Sequence, residues 1–198
     1  MIKFINLPKE EPYLRFIEQY NNAIVFKQKY IEAVAISSFN KSRNEVNSRY
    51  VNLKYIKDKE WVFYSNYESP KSKDFQSHKQ ICATFFWNSI NVQIRLKAKI
   101  KKISQIESDE YFANRDPKKN ALAISSSQSS PIESYKKIQN RYNEVLNSKD
   151  LKKRPKYWGG YKFMPYSFEF WYGHHSRVNK RDLFELKKGE WNHYFLQP

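Results

Sequence analysis

Cysteine and glycine are scarce: one cysteine, Cys82, and four glycines serve 198 residues. A lone thiol excludes a disulfide framework and a cysteine-based zinc site. At 24.0 kDa the chain can bury a core without either. Cys82 sits in the apolar run from Ile81 to Trp87 and is expected as a small buried hydrophobe. Long apolar runs are also missing, since none approaches the ~20 residues of a membrane span. The stretch from Met1 to Glu10 lacks the apolar core and small-residue cleavage site of an export signal. The expectation is a soluble, cytoplasmic protein with no membrane partner. His174 and His175 are adjacent, so on a strand they point to opposite faces, and no carboxylate or cysteine lies at ligand spacing. No metal site is expected. Ser129 lacks a Gly-x-Ser-x-Gly elbow, and His78 and His193 lack a triad context, which excludes a serine hydrolase of that kind.

Positive charge is abundant. Lys and Arg number 36 against 20 Asp and Glu, a net charge of +16, and 17% of residues are aromatic. Such a chain attracts anions of any size. A nucleic-acid module has this composition, and so has a phosphate-handling enzyme with a lysine-rich surface. The lysines are scattered, and the densest short run is only Lys152-Lys153-Arg154. The charge therefore reads as a solvated surface rather than a nucleic-acid tract.

One domain spanning 1–198 is expected, with a helical segment over 1–30 and a barrel with helices over 31–198. From Pro12 to Phe26 apolar residues recur three and four apart, which predicts an amphipathic helix packed on a sheet. The period then shortens. The runs 33–37, 50–56 and 61–65 are β-branched and aromatic and predict strands, with Lys57 to Glu60 as a hairpin turn; the three read as a meander. Ser69 and Pro70 mark a helix start, where exposed amides favour an anion. Strands follow over 81–87 and 92–103, the latter alternating Val92, Ile94, Leu96 and Ala98 with Gln93, Arg95, Lys97 and Lys99. Residues 108–114, 118–126 and 131–146 read as helices, and strands return around Phe168, Phe184 and Tyr194. That order predicts a mainly β, α+β fold: a β-barrel covered by peripheral helices.

Two of the four glycines stand together in Trp158-Gly159-Gly160-Tyr161, followed by Glu169-Phe170-Trp171 and by Ser176 to Arg181. Glycine is placed where backbone turns sharply or approaches something closely. A Gly pair near Trp158, Tyr161 and Trp171, with arginines downstream, predicts a site for a flat, anionic guest.

These blocks, with Ser48 to Lys54, Phe63 to Lys71, Phe86-Trp87, Gln93 to Arg95, Tyr111-Phe112, Arg115 and Gln128-Ser129, resemble the pyridoxine (pyridoxamine) 5'-phosphate oxidases. The resemblance runs from about residue 31 to Pro198. It implies an FMN-binding split β-barrel, a homodimer with flavin at the subunit interface. It also implies oxidation of pyridoxamine or pyridoxine 5'-phosphate by oxygen to pyridoxal 5'-phosphate and hydrogen peroxide. Carried over residue by residue, the flavin falls to Arg49, Tyr50, Val51, Asn52, Leu53, Lys54, Tyr64, Ser65, Lys71, Gln93, Gln128, Ser129, Trp171 and Arg181. Position 70, an arginine in the family, is Pro70 here. The substrate falls to Lys54, Tyr111, Arg115, Lys119, Arg177 and Asn179, with Arg177 and Asn179 as catalytic positions. Tyr111 and Arg115, four apart, are expected on one helical face.

The departures fall at the site. Lys119 replaces a serine, and Arg177-Val178-Asn179-Lys180-Arg181 replaces an Arg-x-His-Asp-Arg run. Losing an arginine at position 70 costs about 1.5–3 kcal/mol of phosphate contact. Asn179 hydrogen-bonds but cannot titrate as histidine does. A flavin- or vitamer-binding relative with no or altered oxidase activity is therefore a second reading, and a basic nucleic-acid module a third.

Overall fold

A computed structural model describes residues 1–147 and 150–198. The elements in chain order are β1 (Lys3–Ile5), α1 (Glu11–Val25), β2 (Ala33–Asn40), β3 (Glu45–Asn52), β4 (Tyr55–Lys57), β5 (Glu60–Asn66), α2 (Pro70–Ser77), β6 (Gln80–Trp87), β7 (Val92–Lys102), α3 (Gln105–Ala113), α4 (Pro117–Ser125), α5 (Tyr135–Leu146), β8 (Trp158–Tyr172), β9 (Lys180–Lys187) and β10 (Glu190–Leu196). The strands form one sheet in the order β1-β4-β5-β8-β7-β6-β2-β3, with β9 also on β8 and β10 on β9.

The sheet branches at β8. Residues 158–163 of its one edge pair with β5, residues 167–172 of that edge pair with β9, and β7 runs along the other edge throughout. The register against β7 shifts between Lys97 and Ala98, opposite Ser167 and Pro165, so Tyr166 is an extra residue. A bulge bends and twists a strand, and proline is tolerated where the ladder is interrupted. The strand thus changes partners where its hydrogen bonding is already broken.

The inner face is aromatic. On α1, Tyr13, Phe16, Tyr20 and Ala23 are buried at helical spacing. Phe16 meets Trp61, Phe85 and Trp87 at ring-centroid distances of 4.5, 5.4 and 5.5 Å. The helix is pinned to the far end of the chain by Arg15, whose Nη1 lies 3.0 Å from the buried carboxylate of Asp182 on β9. His193 and Lys180 reach the same carboxylate at 2.9 and 3.2 Å.

The expected meander does not form. β2 and β3 make a hairpin at one end of the strand order, whereas β4 and β5 belong near the other. The run expected as one strand over 50–56 therefore breaks at Leu53-Lys54. The Leu53 amide still bonds back toward β2, to the Glu32 carbonyl, while the Lys54 amide bonds to Val62 on β5. The chain crosses from one ladder to another between two residues, which places Lys54 at the crossing. The segment 1–30 also contains a strand, β1, which pairs in parallel with β4. The helix expected from 131 begins at Tyr135, where the Ser134 hydroxyl accepts the Lys137 amide. That expected from 108 begins at Gln105, behind a Ser104–Glu107 capping box. Cys82 is half-buried rather than buried, because Ile81, Ala83 and Phe85 take the inward positions. No helix among the described residues is long and apolar enough to cross a membrane.

Gly159 and Gly160 make no turn; they are strand residues facing Ser65 and Tyr64 of β5. Close approach is their reason. A Cβ on Gly159 would lie 2.2 Å from Tyr67 Oη and 2.6 Å from its Cζ. Tyr67 cannot yield freely, since its hydroxyl donates to the Gly160 carbonyl at 3.1 Å. Gly159→Ala is expected to destabilise the protein by about 1–3 kcal/mol. Urea unfolding of the variant beside the parent checks this, and a change within ~0.5 kcal/mol would show that Tyr67 has room to move.

Candidate functional site

The chain crossing at Lys54 and the start of β8 open a cavity of about 680 Å³. Its walls come from the end of β3, from β5, from the first turn of α2, and from the loops around α3 and α4. Five cations line it: Arg49, Lys54, Lys71, Arg115 and Lys119. Arg49 has an ion-pair partner, Asp74, 3.9 Å away. Among the described residues the other four have none. The one carboxylate in the lining, Asp116, caps α4 by accepting the Lys118 amide at 2.9 Å.

At one end Lys71 is buried. Its ammonium donates to Ser69 Oγ at 3.1 Å and to Gln128 Oε1 at 3.0 Å, and Ser65 Oγ donates to that same oxygen at 3.2 Å. Burial, and then the charge of Arg49, push the Lys71 ammonium down to about 8. The Arg49 guanidinium donates to Ser38 Oγ at 2.7 Å and to the Ile36 carbonyl at 3.2 Å. Ser38 in turn donates to Asp74 at 2.7 Å. The helix start read from Ser69 and Pro70 is present as α2, although the Ser69 hydroxyl donates to the Asn66 carbonyl instead of capping an amide. Pro70 is exposed and stays outside the cavity. It borders a neighbouring depression with Lys41, Arg43 and Lys73.

At the other end stand Lys54, Tyr111, Arg115 and Lys119. The helix carrying Tyr111 ends at Ala113, so Arg115 lies beyond its cap rather than on the expected common helical face. Three contacts hold Arg115 instead. Its Nη1 donates to the Lys119 carbonyl at 2.7 Å and to Asn120 Oδ1 at 3.2 Å, and its guanidinium lies 5.0 Å from the Trp158 ring centre. Tyr64 forms the floor, stacked on Tyr111 at 3.7 Å and nearly parallel to Trp158 at 5.2 Å. The Tyr55 and Tyr64 hydroxyls are 3.0 Å apart. Burial, then Lys119 and Arg115 against the opposing charge of Glu32, hold the Lys54 ammonium below the usual lysine range.

The structure thus brings together Arg49, Tyr50, Val51, Asn52, Lys54, Tyr64, Ser65, Lys71, Tyr111, Arg115, Lys119, Gln128 and Ser129. Leu53 points into the core and is fully buried. Of the aromatics read around the glycine pair, Trp158 lines the cavity, while Tyr161 packs in the core on Phe63. Gln93, Trp171 and Arg181 form a second group. They make one row across β7, β8 and β9, and none lines the cavity of its own subunit. Trp171 is thirteen residues along β8 from Trp158, about 40 Å of extended strand. Arg177 sits in the loop beyond, at a left-handed φ of 67°. Asn179 Oδ1 accepts the His174 amide at 3.0 Å and ties that loop closed. The residue-by-residue reading missed Asn114 and Asp116 in the lining. It also missed Asp74 behind Arg49 and Tyr55 behind Tyr64. Only the Asp116-Pro117 helix start left a readable signal.

Two family models match the chain. One, described as pyridoxamine 5'-phosphate oxidase, covers residues 23–148, and the other, the pyridoxine 5'-phosphate oxidase C-terminal dimerisation region, covers residues 158–198. A pyridoxine/pyridoxamine 5'-phosphate oxidase from Christiangramia forsetii is 36% identical over 96% of this chain and 89% of its own length. Another, from Vesicomyosocius okutanii, is 34% identical over 87% and 82%. Among solved structures, PhzG from Burkholderia lata in complex with tetrahydrophenazine-1-carboxylic acid superposes with a TM-score of 0.88 at 22% identity, covering 96% of this chain and 94% of that one. A pyridoxamine 5'-phosphate oxidase-related, FMN-binding protein from Nostoc punctiforme gives 0.78 at 11%, covering 96% and 99%. At those identities the structures establish the split-barrel fold. The dimerisation region supports a homodimer. With both models and the curated relatives in agreement, the chain belongs to the FMN-binding pyridoxine/pyridoxamine 5'-phosphate oxidase family.

Proposed function

We propose that the protein oxidises pyridoxamine 5'-phosphate or pyridoxine 5'-phosphate with oxygen, giving pyridoxal 5'-phosphate and hydrogen peroxide, with FMN as cofactor; the amine substrate also takes up water and releases ammonia. The observation that carries this is the cavity with four cations that form no ion pair among the described residues. Lys71 is buried and Lys54 and Arg115 are half-buried; uncompensated charge withdrawn from water is costly, and two phosphate groups would compensate it. The donors suit two phosphates, because the cations fall into two groups: Arg49 acts on Lys71, and Lys119 and Arg115 act on Lys54.

In this reading Lys71 and Arg49 bind the flavin phosphate, and Ser65, Gln128 and Ser129 donate beside them. The end of β3, from Tyr50 to Asn52, runs along the flavin. Lys54, Tyr111, Arg115 and Lys119 bind the phosphate of the substrate and fix its distance from the ring. Lys119 brings a charge to the substrate phosphate where the family has a hydroxyl. Gln93, Trp171, Arg177, Asn179 and Arg181 lie on the dimerisation region or beside it, and would complete the cavity of the opposite subunit. Arg181 would favour electron density on the ring by its charge, and Arg177 would contact the substrate ring. The chemistry FMN supplies when bound is acceptance of a hydride from the amine- or alcohol-bearing carbon and passage of the electrons to oxygen. Positioning and electrostatics are the protein's share.

Two outcomes are expected. The FMN-saturated protein in air, given either phosphorylated vitamer, should release pyridoxal 5'-phosphate and peroxide in equal amounts. Bound flavin with no product would favour the relative with altered activity. FMN affinity should also depend on pH through Lys71. Burial and the charge of Arg49 hold its ammonium down at about 8, and an arriving phosphate raises that value. Affinity should therefore be greatest below about 8 and fall by up to about tenfold per pH unit above it, where binding must take up a proton. Lys71→Met should weaken binding by one to two orders of magnitude and flatten the profile. Fluorescence titration of FMN from about pH 6.5 to about 9.5 checks this, and a flat parent profile would remove Lys71 from the phosphate.

A further inference from the structure

We propose that Glu169 is a positioning residue that sets Arg181 for the flavin; this rests on the reading that Arg181 meets the flavin. Glu169 lies on the outward-facing side of β8, in register with Arg95 on β7 and Leu183 on β9. The next row along is Gln93, Trp171 and Arg181. Outward carboxylates are ordinarily solvated, yet Glu169 is only 5% exposed. Two guanidinium groups cover it. Arg181 approaches diagonally and donates from Nε at 3.1 Å and Nη2 at 2.8 Å, both to Oε1, while Arg95 Nη2 pairs with Oε2. The remaining terminal nitrogen of Arg181, Nη1, donates to the Gln197 carbonyl at 2.9 Å.

A guanidinium has five N–H donors in a fixed plane. Three are engaged, and with the Nε edge and both terminal nitrogens fastened the plane cannot turn about Cζ. What remains for a ligand is one hydrogen on each terminal nitrogen, in a fixed orientation, beside Trp171. A structural ion pair needs one arginine. Arg95, half exposed, gives Glu169 a second cation, so the carboxylate can hold Arg181 without cancelling its charge. The arrangement suits a cation that must present its field at one place on a flavin rather than sample rotamers.

The test uses the full chain saturated with FMN and a double-mutant cycle of Glu169→Gln, Arg181→Gln and both together. The readouts are flavin bleaching by pyridoxamine 5'-phosphate without oxygen and the midpoint potential of the bound flavin. In the parent background Glu169→Gln should slow bleaching on the order of tenfold and shift the potential, and both effects should vanish in the Arg181→Gln background. Equal effects in the two backgrounds, or none in the parent, overturn the proposal. Glu169→Asp keeps the charge but draws it back by one methylene, so it should slow bleaching less than Glu169→Gln. It carries the test if the glutamine variant does not fold, and a parent-like rate then overturns the proposal. If the parent flavin is bound but not bleached, the oxidase reading fails, and the cycle on the potential alone decides the role of Glu169.

Discussion

Everything in this molecule hangs on one strand with three neighbours. β8 is long enough to give β5 its first half and β9 its second along one edge, while β7 occupies the other. The core exists because these ladders wrap a set of aromatic rings around Phe16, Trp61 and Phe168. The cavity lies at one end of the same strand, where Trp158 forms its wall, and the Trp171–Arg181 row lies at the other. In the proposed reading one β-strand therefore carries two half-sites that cannot meet within a subunit. Dimerisation is then a geometric requirement of the proposed chemistry.

The cavity is the fold's main electrostatic expense. Burial drives the Lys71 and Lys54 ammoniums below their usual range, and the Arg49 and Arg115 guanidiniums as well. Neutral donors and acceptors around them, such as Gln128, Ser69 and the Lys119 carbonyl, hold the cations in place without discharging them. Ligand binding and folding are consequently linked, because an anion that neutralises these groups stabilises the folded state that displays them.

Much of this was legible in the residues, and the failures have physical causes. Local periodicity located α1 and nearly all of the strands, because burial of one face leaves a period. Strand partners left no such trace. The expected meander over the first strands failed because Leu53 and Lys54 transfer the chain between ladders, a long-range choice made by β5 and β8. Helix starts were misjudged at Gln105 and Tyr135, where the Ser104 and Ser134 caps decide the boundary. At the site, resemblance identified thirteen of the lining residues. It placed Leu53 among the ligands, although its side chain serves the core. Glu169, named in its block, received no role because a strand carboxylate looks solvated until the guanidiniums on neighbouring strands are seen.

The contact between Arg15 and Asp182 has a consequence for how the chain is made. α1 is made well before β9, which carries its anchor, and β1 waits for β4. The barrel's plug is therefore in place long before the last staves that hold it. The Arg15–Asp182 contact cannot close until β9 has been made. Pairings so distant in sequence fold slowly, so the aromatic face of α1 stays uncovered until β5, β6 and β8, made much later, close over it.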